Sequence, residues 1–149
     1  MIRTTSIRVA TEADADAIAG IAHAVGSENT ALPEGLGNEE AATWIRRLGD
    51  QGTMVVALDG SIPVAFGTLD FSTTEPETGL LGVWVLPDHR RRGLATELAD
   101  ELIAFARDRG YRRIRGRLPD SNEPALSFLS GIGAMVPLRN PDMSFELPL

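Results

Sequence analysis

A chain of 149 residues, 43% hydrophobic and 23% charged, is long enough for one compact domain with a single core. It has no cysteine, which excludes disulfides, zinc-thiolate sites and a cysteine nucleophile, and its two histidines offer no cluster of ligands, so no metal site is expected. With no secretion signal and no apolar run of the roughly 18 residues that a membrane span needs, we expect a cytoplasmic protein without membrane contact.

The formal net charge of -7 is unevenly distributed along the chain. The local balance is -9 over residues 1–89, +5 over residues 90–117 and -3 over residues 118–149. All 14 basic residues are arginine, and a GC-rich bacterial genome would produce this bias without any functional need for arginine. A net acidic chain with only 5% aromatic residues is a poor nucleic-acid binder, so we expect no nucleic-acid partner.

The first predicted unit is a strand followed by a helix. Residues 6–10, "SIRVA", alternate like a short strand. Thr11, with Asp14 three residues later, forms a capping-box signature that opens a helix. The apolar side of this helix is expected to contain Ile18, Ile21, Ala22 and Val25.

A loop, a second helix and a hairpin follow. Residues 26–38 are rich in turn residues, and Asn38 is expected to cap the second helix. Residues 53–58 and 62–71 are two apolar runs separated by the dipeptide Asp59-Gly60, which is a strong hairpin signal. These two runs are therefore predicted to be paired antiparallel strands.

The stretch after residue 78 predicts a central strand, a tight turn and a helix. "GLLGVWVLP" (residues 79–87) is a continuous apolar run, typical of a strand buried on both faces, and its proline ends it. The helix is expected to begin at Gly93 and to close at Gly110. Its buried stripe is predicted by apolar residues at spacings of four, four and three: Leu94, Leu98, Leu102 and Phe105.

The last third predicts a strand at residues 111–118, a helix at residues 124–132 and two strands at residues 135–138 and 144–147. In the first of these, Arg113, Arg115 and Arg117 would share one face, which we interpret as a solvated or anion-facing surface. The total is about seven strands and four helices in one mixed α+β or α/β domain.

The turn before Gly93 is suited to bind an anion. Arg90, Arg91 and Arg92 precede it directly, while Gly93 and Ala95 leave the backbone N-H groups of the helix start accessible. Cations beside the positive end of a helix dipole are unfavourable by roughly 0.3 to 1 kcal/mol each unless an anion binds there. The pattern therefore predicts a pyrophosphate site.

The same stretch, "VWVLPDHRRRGLATEL", resembles the acyl-CoA binding motif of the GNAT superfamily of N-acyltransferases, Q/R-x-x-G-x-G/A, with Arg90, Gly93 and Ala95 at the matching positions. "NEPALSFLSGIGA" (residues 122–134) resembles a second family segment, and the opening strand and helix are also similar, so the resemblance covers nearly the whole chain. It implies a single domain over residues 1–149, with a mixed, mostly antiparallel sheet whose strands splay around the pantetheine arm.

The resemblance also implies which residues bind acyl-CoA. Backbone N-H groups from Arg91 to Thr96 would surround the pyrophosphate, and main-chain groups of Val83 and Val85 would pair with the pantetheine. The Val85 N-H is the expected donor to the thioester carbonyl. Asn122 would lie beside the arm; its alternative role is to cap a helix or turn. The cofactor-binding set is Val83, Val85, Arg90, Arg91, Arg92, Gly93, Leu94, Ala95, Thr96 and Asn122.

Two positions depart from the family pattern. The usual tyrosine, which protonates the leaving thiolate, is Leu129, and the usual glutamate base is Gly79. Deprotonating an alkyl amine at pH 7 costs roughly 4.6 kcal/mol and protonating a thiolate only about 2 kcal/mol, so the missing base matters more. Glu77 and Glu28 are the replacement candidates for the base, with Glu75 as a further one.

The implied function is N-acetyl transfer from acetyl-CoA to a primary amine by direct attack. Acidic residues of the first loop and second helix suit a cationic small-molecule or peptide amine, although a solvated acidic loop explains them equally well; they are Glu28, Glu34, Glu39 and Glu40. The alternatives are a degenerate domain that binds acyl-CoA as a sensor or interaction module, and a nucleotide-binding module. A homodimer is compatible with each.

Overall fold

The computed structural model describes residues 5–25, 36–89, 93–117 and 144–149, with the backbone alone at positions 117, 144 and 145. The strands are β1 Thr5–Val9, β2 Thr53–Asp59, β3 Ile62–Phe71, β4 Thr78–Val85, β5 Arg113–Arg117 and β6 Ser144–Pro148. The helices are α1 Ala15–Val25, α2 Asn38–Leu48 and α3 Leu94–Asp108, with short 3-10 turns at Glu12–Asp14 and Pro87–His89.

The six strands form one sheet in the order β1-β2-β3-β4-β5-β6. β4 and β5 pair parallel, and the other four pairs are antiparallel. The predicted mixed, mostly antiparallel sheet is confirmed. The predicted helix at 124–132 and strand at 135–138 lie outside the described residues, which contain the other six strands and three helices.

The start of the first helix follows the predicted capping box. Thr11 N-H donates to Asp14 Oδ2 at 2.8 Å, and both terminal nitrogens of Arg8 donate to the same carboxylate at 2.8 Å each. The Arg8 side chain and the Thr11 amide lower the pKa of Asp14 below its usual value, although burial of the carboxyl acts in the opposite direction. A half-exposed arginine on β1 and a buried carboxylate thereby join the first strand to the first helix.

The start of α2 corrects the predicted cap. Asn38 is the first helical residue, and the N-cap is Gly37, which has extended backbone and makes no side-chain cap. Ala41 N-H donates to Gly37 O at 2.9 Å, so the helical hydrogen bonds begin one residue before the expected position.

The core forms two clusters, one on each face of the sheet. On the α3 face, Leu94, Leu98 and Leu102 are all buried, as predicted, while Phe105 is partly buried against the same cluster. The other face is covered by α1 and α2. The predicted closing glycine follows the C-cap of α3: Gly110 N-H donates to Arg107 O and Tyr111 N-H donates to Ala106 O, the pattern of a Schellman motif.

Burial of β4 on both faces is only partly confirmed. The strand is central in the sheet, but the side chain of Leu80 is 41% exposed. The cause lies in packing, because α1 and α2 cover Trp84 and Leu86 near the end of the strand while Leu80 joins neither core cluster.

No helix among the described residues has the length and apolar character to cross a membrane.

Candidate active site

The site begins where β4 and β5 diverge. β4 pairs with β3 along its whole length, from Gly79↔Phe71 to Val85↔Ala65. Its pairing with β5 covers only Thr78↔Arg113 to Leu80↔Arg115, as far as the described residues go. β4 continues for five residues past Leu80, roughly 17 Å, and β5 continues to Arg117 without pairing with Leu81 or Gly82. The two strands therefore part after Leu80, on the side where the splay is predicted. We call the β4 edge beyond Leu80, which would border that splay, the cleft.

The hydrogen-bond register shows which main-chain groups point into this cleft. Leu86 N-H donates to Val64 O at 3.0 Å, and Ser72 N-H donates to Thr78 O at 3.2 Å. In an antiparallel pair, alternate residues direct both main-chain groups to the partner strand. The even-numbered residues of β4 therefore face β3, and the main-chain groups of Val83 and Val85 face the cleft.

The start of α3 lies just after the open end of the cleft. Gly93 is its N-cap, with φ 81° and ψ 6°, and no side chain caps the helix. A Cβ at this position would meet no described atom within 4 Å, so glycine is required by the left-handed backbone and not by lack of space. The first hydrogen bond within the helix runs from Glu97 N-H to Gly93 O at 3.0 Å.

The N-H groups of Leu94, Ala95 and Thr96 precede that first bond and have no acceptor within the helix. Leu94 is buried in the α3 core, which fixes the helix start on the sheet, while Thr96 is exposed. Three donors, a partial positive charge and an open approach fit a diphosphate. We call the backbone from Gly93 to Thr96 the amide seat.

Five predicted site residues lie outside the described residues: Glu28, Arg90, Arg91, Arg92 and Asn122. The same is true of Leu129, the position of the family tyrosine. Val85 and Leu94 belong to the same core cluster, against which Val83 and Ala95 pack. These roles in cofactor binding stay predictions, since no ligand contact tests them.

The predicted base Glu77 lies at the opposite end of β4 from Val85. Eight residues of extended strand separate the two, roughly 26 Å, so the structure does not bring these predicted catalytic groups together. The Glu77 carboxylate pairs with Arg112 Nε at 3.1 Å, and its carbonyl accepts from the N-H groups of Arg112 and Arg113. Its backbone is left-handed, with φ 64°.

Glu75 lies near the closed end of the cleft. Its carboxylate accepts a hydrogen bond from Arg115, whose sheet partner Leu80 marks the last paired position of β4. Arg115 also approaches Glu146 of β6 at 3.8 Å, as does Arg113. The arginine face of β5, predicted to be solvated or anion-facing, is thus balanced at least in part by carboxylates of the protein itself.

His89 has a structural role. It closes the 3-10 turn after β4, where its N-H donates to Leu86 O at 2.9 Å. Its Nε2 lies 3.5 Å from the carboxylate of Asp59, at the turn between β2 and β3. His89 therefore connects the segment leading to the amide seat with the hairpin.

Sequence reasoning missed an aromatic cluster on the α1 and α2 face of β4. The Trp84 ring stacks on Phe66, with centroids 4.9 Å apart, and meets the edge of Trp44 at 6.3 Å. A Cβ at Gly82 would lie within 2.9 Å of three atoms of the Trp84 ring, so the indole extends back over this glycine. The sequence signal for this was Gly82 itself, since glycine inside a strand often marks a close approach.

An open groove of about 490 Å³ lies beside this cluster, between α2 and β3. Asp70 in its wall accepts hydrogen bonds from Trp44 Nε1 at 3.0 Å and from both terminal nitrogens of Arg47. Its lining combines acidic, aromatic and apolar side chains: Leu36, Glu39, Glu40, Thr43, Trp44, Arg47 and Asp70.

The described residues contain no group of three or more acidic or histidine side chains able to hold a metal ion.

A family model described as "Acetyltransferase (GNAT) family" matches residues 23–133 of the chain. That match includes the turn before α3 and both strands that border the cleft. No curated protein matches the sequence.

Solved structures share the fold over nearly the whole chain. Phosphinothricin acetyltransferase of Sinorhizobium meliloti, in complex with acetyl-CoA, has a TM-score of 0.86 at 18% identity, covering 98% of this chain and 89% of that one. The yncA protein of Salmonella typhimurium, with its cofactor acetyl-CoA, gives 0.82 at 20% identity, covering 98% and 94%. Ribosomal-protein-alanine N-acetyltransferase of Brucella melitensis gives 0.81 at 22%, covering 97% and 99%.

Proposed function

Because the chain belongs to the GNAT acetyltransferase family, we propose that it is an N-acetyltransferase that transfers the acetyl group of acetyl-CoA to a primary amine. The amine nitrogen forms a bond to the acetyl carbon, the carbon-sulfur bond breaks, and the proton lost by the amine balances the one that the CoA thiolate takes up. The observation that carries this proposal is the cleft between β4 and β5, with the amide seat at its open end.

Acetyl-CoA is proposed to bind along β4 and at the start of α3. The amide seat would hold its diphosphate, assisted by Arg90, Arg91 and Arg92, and the main-chain groups of Val83 and Val85 would flank the pantetheine. Asn122 is proposed to bind the same arm. The roles of Val83, Val85 and Asn122 follow from the family resemblance, and two structural neighbours that were solved with acetyl-CoA support the cosubstrate.

The rate enhancement is proposed to come mainly from proximity and from the Val85 N-H, which points to the edge where the thioester carbonyl would lie. Because Glu77 cannot contact a group beside Val85, it is proposed to take up the amine proton only by exchange with bulk solvent, to which its 53% exposed carboxylate has access. Glu28 remains the other candidate base.

We propose that the acceptor approaches along the groove between α2 and β3. Asp70 is already paired with Arg47, so the carboxylates of Glu39 and Glu40 in its lining are the ones that would attract an ammonium group. This favours a cationic amine, such as a polyamine, an aminoglycoside or a peptide terminus.

The test is to measure thiol release from acetyl-CoA over a panel of primary amines and to detect the product by mass. We expect saturation with at least one amine and one N-acetyl product for each thiol released. If CoA and acetyl-CoA bind but no amine is acetylated, the acyl-CoA sensor replaces the enzyme. If ATP binds in place of CoA, the nucleotide-binding alternative replaces both.

A further inference from the structure

We propose that Trp84 limits the acyl group of the cosubstrate to acetyl, because its indole closes the space over Gly82 on the acceptor side of the cleft. This inference rests on the proposed function and adds to it the selection of the acyl chain. It assigns Trp84 as a specificity-determining residue, with Trp44 and Asp70 as positioning residues behind it.

The position of the indole follows from Gly82. Side chains at residues 82 and 84 point to the same face of β4. A Cβ built on Gly82 would lie 2.8 Å from Cζ3 and 2.9 Å from Cζ2 of Trp84. Both atoms belong to the six-membered ring of the indole, so this ring lies over Gly82 and points toward the closed end of the cleft.

The indole lies beside the path of the acyl chain. With the thioester beside Val85, as proposed, the acyl chain extends from there along β4 toward Leu80, where the pairing with β5 closes the cleft. Gly82 is three residues along that path, roughly 10 Å from Val85, and the Trp84 ring reaches back from residue 84 over this glycine. Above it, on the face that α1 and α2 cover, the nearest side chain is the Trp84 ring.

The ring is held rigidly in this position. One face stacks on Phe66, which is 0% exposed, and Trp44 meets the ring at an interplanar angle of 68°. Trp44 is fixed in turn by its Nε1-H bond to Asp70, which Arg47 also binds. A ring supported in this way cannot rotate aside to admit a longer chain without breaking its stacking and the contact with Trp44.

The consequence is a size limit. A wall that is already in contact with the backbone leaves room for a small acyl group, and each added methylene would require a shift of packed aromatic rings. One methylene in a pocket of fixed size changes discrimination by about 10- to 200-fold. The wild-type protein should therefore bind butyryl-CoA at least about tenfold more weakly than acetyl-CoA.

The experiment measures the affinities of CoA, acetyl-CoA, propionyl-CoA and butyryl-CoA by calorimetry, which needs no acceptor amine. The key variant is Trp84→Phe, which retains a ring to stack on Phe66 but removes the benzo portion over Gly82. We expect its acetyl-to-butyryl preference to fall to about threefold or less, with the affinity for CoA itself within twofold of wild type. Trp84→Leu is a second variant and should shift the preference in the same direction.

The matched control is Phe105→Leu, which removes an aromatic ring that packs against the core on the opposite face of the sheet. It should keep the wild-type preference. If the wild type binds acetyl-CoA and butyryl-CoA equally, or if the Trp84 variants keep the wild-type preference, the size limit is wrong while acyl-CoA binding stands. If CoA itself does not bind, the proposed function fails and this inference fails with it.

Discussion

The two faces of the sheet differ in the kind of side chain that fills them. The buried side chains of the α3 face are all aliphatic, and Leu98, Leu102 and Ile114 are at 0% exposure. The α1 and α2 face combines aromatic rings with charged groups, including the Arg8-Asp14 and Arg47-Asp70 pairs. In the proposed function, the first face is a scaffold that places the amide seat, and the second carries the side chains that would distinguish one substrate from another.

The proposed division of roles is compatible with a fold that solved structures share at about 20% identity. Backbone N-H groups bind a diphosphate with little dependence on side-chain identity, so the α3 side needs only a glycine turn and a well-packed helix. Selection of an amine or an acyl chain requires particular side chains. We therefore expect substitutions on the α3 face to alter stability, and those on the other face to alter selectivity.

The largest effect is expected for Leu102→Ala. Leu102 is fully buried between α3 and the sheet, and its Cδ1 lies 2.8 Å from where a Cβ on Gly67 would stand. Removing it should leave a cavity and lower the free energy of unfolding by about 2 to 5 kcal/mol, as measured in urea. The acetyl-to-butyryl preference should not change. A changed preference in this variant would mean that the two faces are not separate.

The next effect concerns the charged pair of the other face. Asp14→Asn should lower the free energy of unfolding at pH 7 by about 1.5 to 3 kcal/mol, because it weakens the charge-assisted bonds to Arg8 and Thr11. The folded pKa of Asp14 lies below the usual 3.8. The stabilisation is therefore complete above that pH and is lost as the pH falls toward the folded pKa.

Urea unfolding of wild type and Asp14→Asn at pH 7 and near pH 3 checks this sign. The difference between them should shrink at the lower pH. An equal difference at both pH values would show that ionisation of Asp14 does not stabilise the folded protein.

A smaller effect is expected from the acceptor groove. The double variant Glu39→Gln with Glu40→Gln should lower kcat/KM for a cationic amine by about three- to tenfold, since the charges are exposed and screened. The loss should diminish as salt is added. Asp100→Asn with Glu101→Gln removes the same charge from exposed positions of α3 and is the control. An equal loss in the control would contradict an acceptor path beside α2.

The smallest effect is expected for Glu77→Gln. A general base in contact with the substrate contributes roughly 10²- to 10⁴-fold. Since Glu77 lies roughly 26 Å from Val85, removing its carboxylate should reduce kcat by less than about tenfold. A loss of a hundredfold or more would show that the acceptor amine binds at the start of β4, and the proposed position of the thioester would have to change.

The α3 side could be predicted from sequence because its signals are local. The spacing of Leu94, Leu98 and Leu102 specifies the buried stripe, and glycines at 93 and 110 mark both ends of the helix. The strand order follows from the hairpin and from the crossover through α3. Each of these features depends on neighbours within a few residues or on one helical period.

The other face could not be predicted in this way, because its contacts join distant parts of the chain. Trp44 and Asp70 are 26 positions apart, and the pairing of Arg47 with Asp70 depends on how α2 packs on β3. Glu77 illustrates the same limit. Its closeness in sequence to Gly79, the usual glutamate position, suggested a base, but its distance from Val85 depends on where β4 begins, which periodicity does not define to within a few residues.

The most direct test of the account compares CoA binding by Gly93→Glu and Gly110→Glu. Both glycines have left-handed backbone, with φ 81° and 84°, and neither has a described atom within 4 Å of a Cβ, so both substitutions impose similar strain. Only Gly93 belongs to the amide seat. We expect Gly93→Glu to weaken CoA binding by at least about a hundredfold and Gly110→Glu to leave it within threefold of wild type. Equal affinities in the two variants would contradict a diphosphate site at the start of α3.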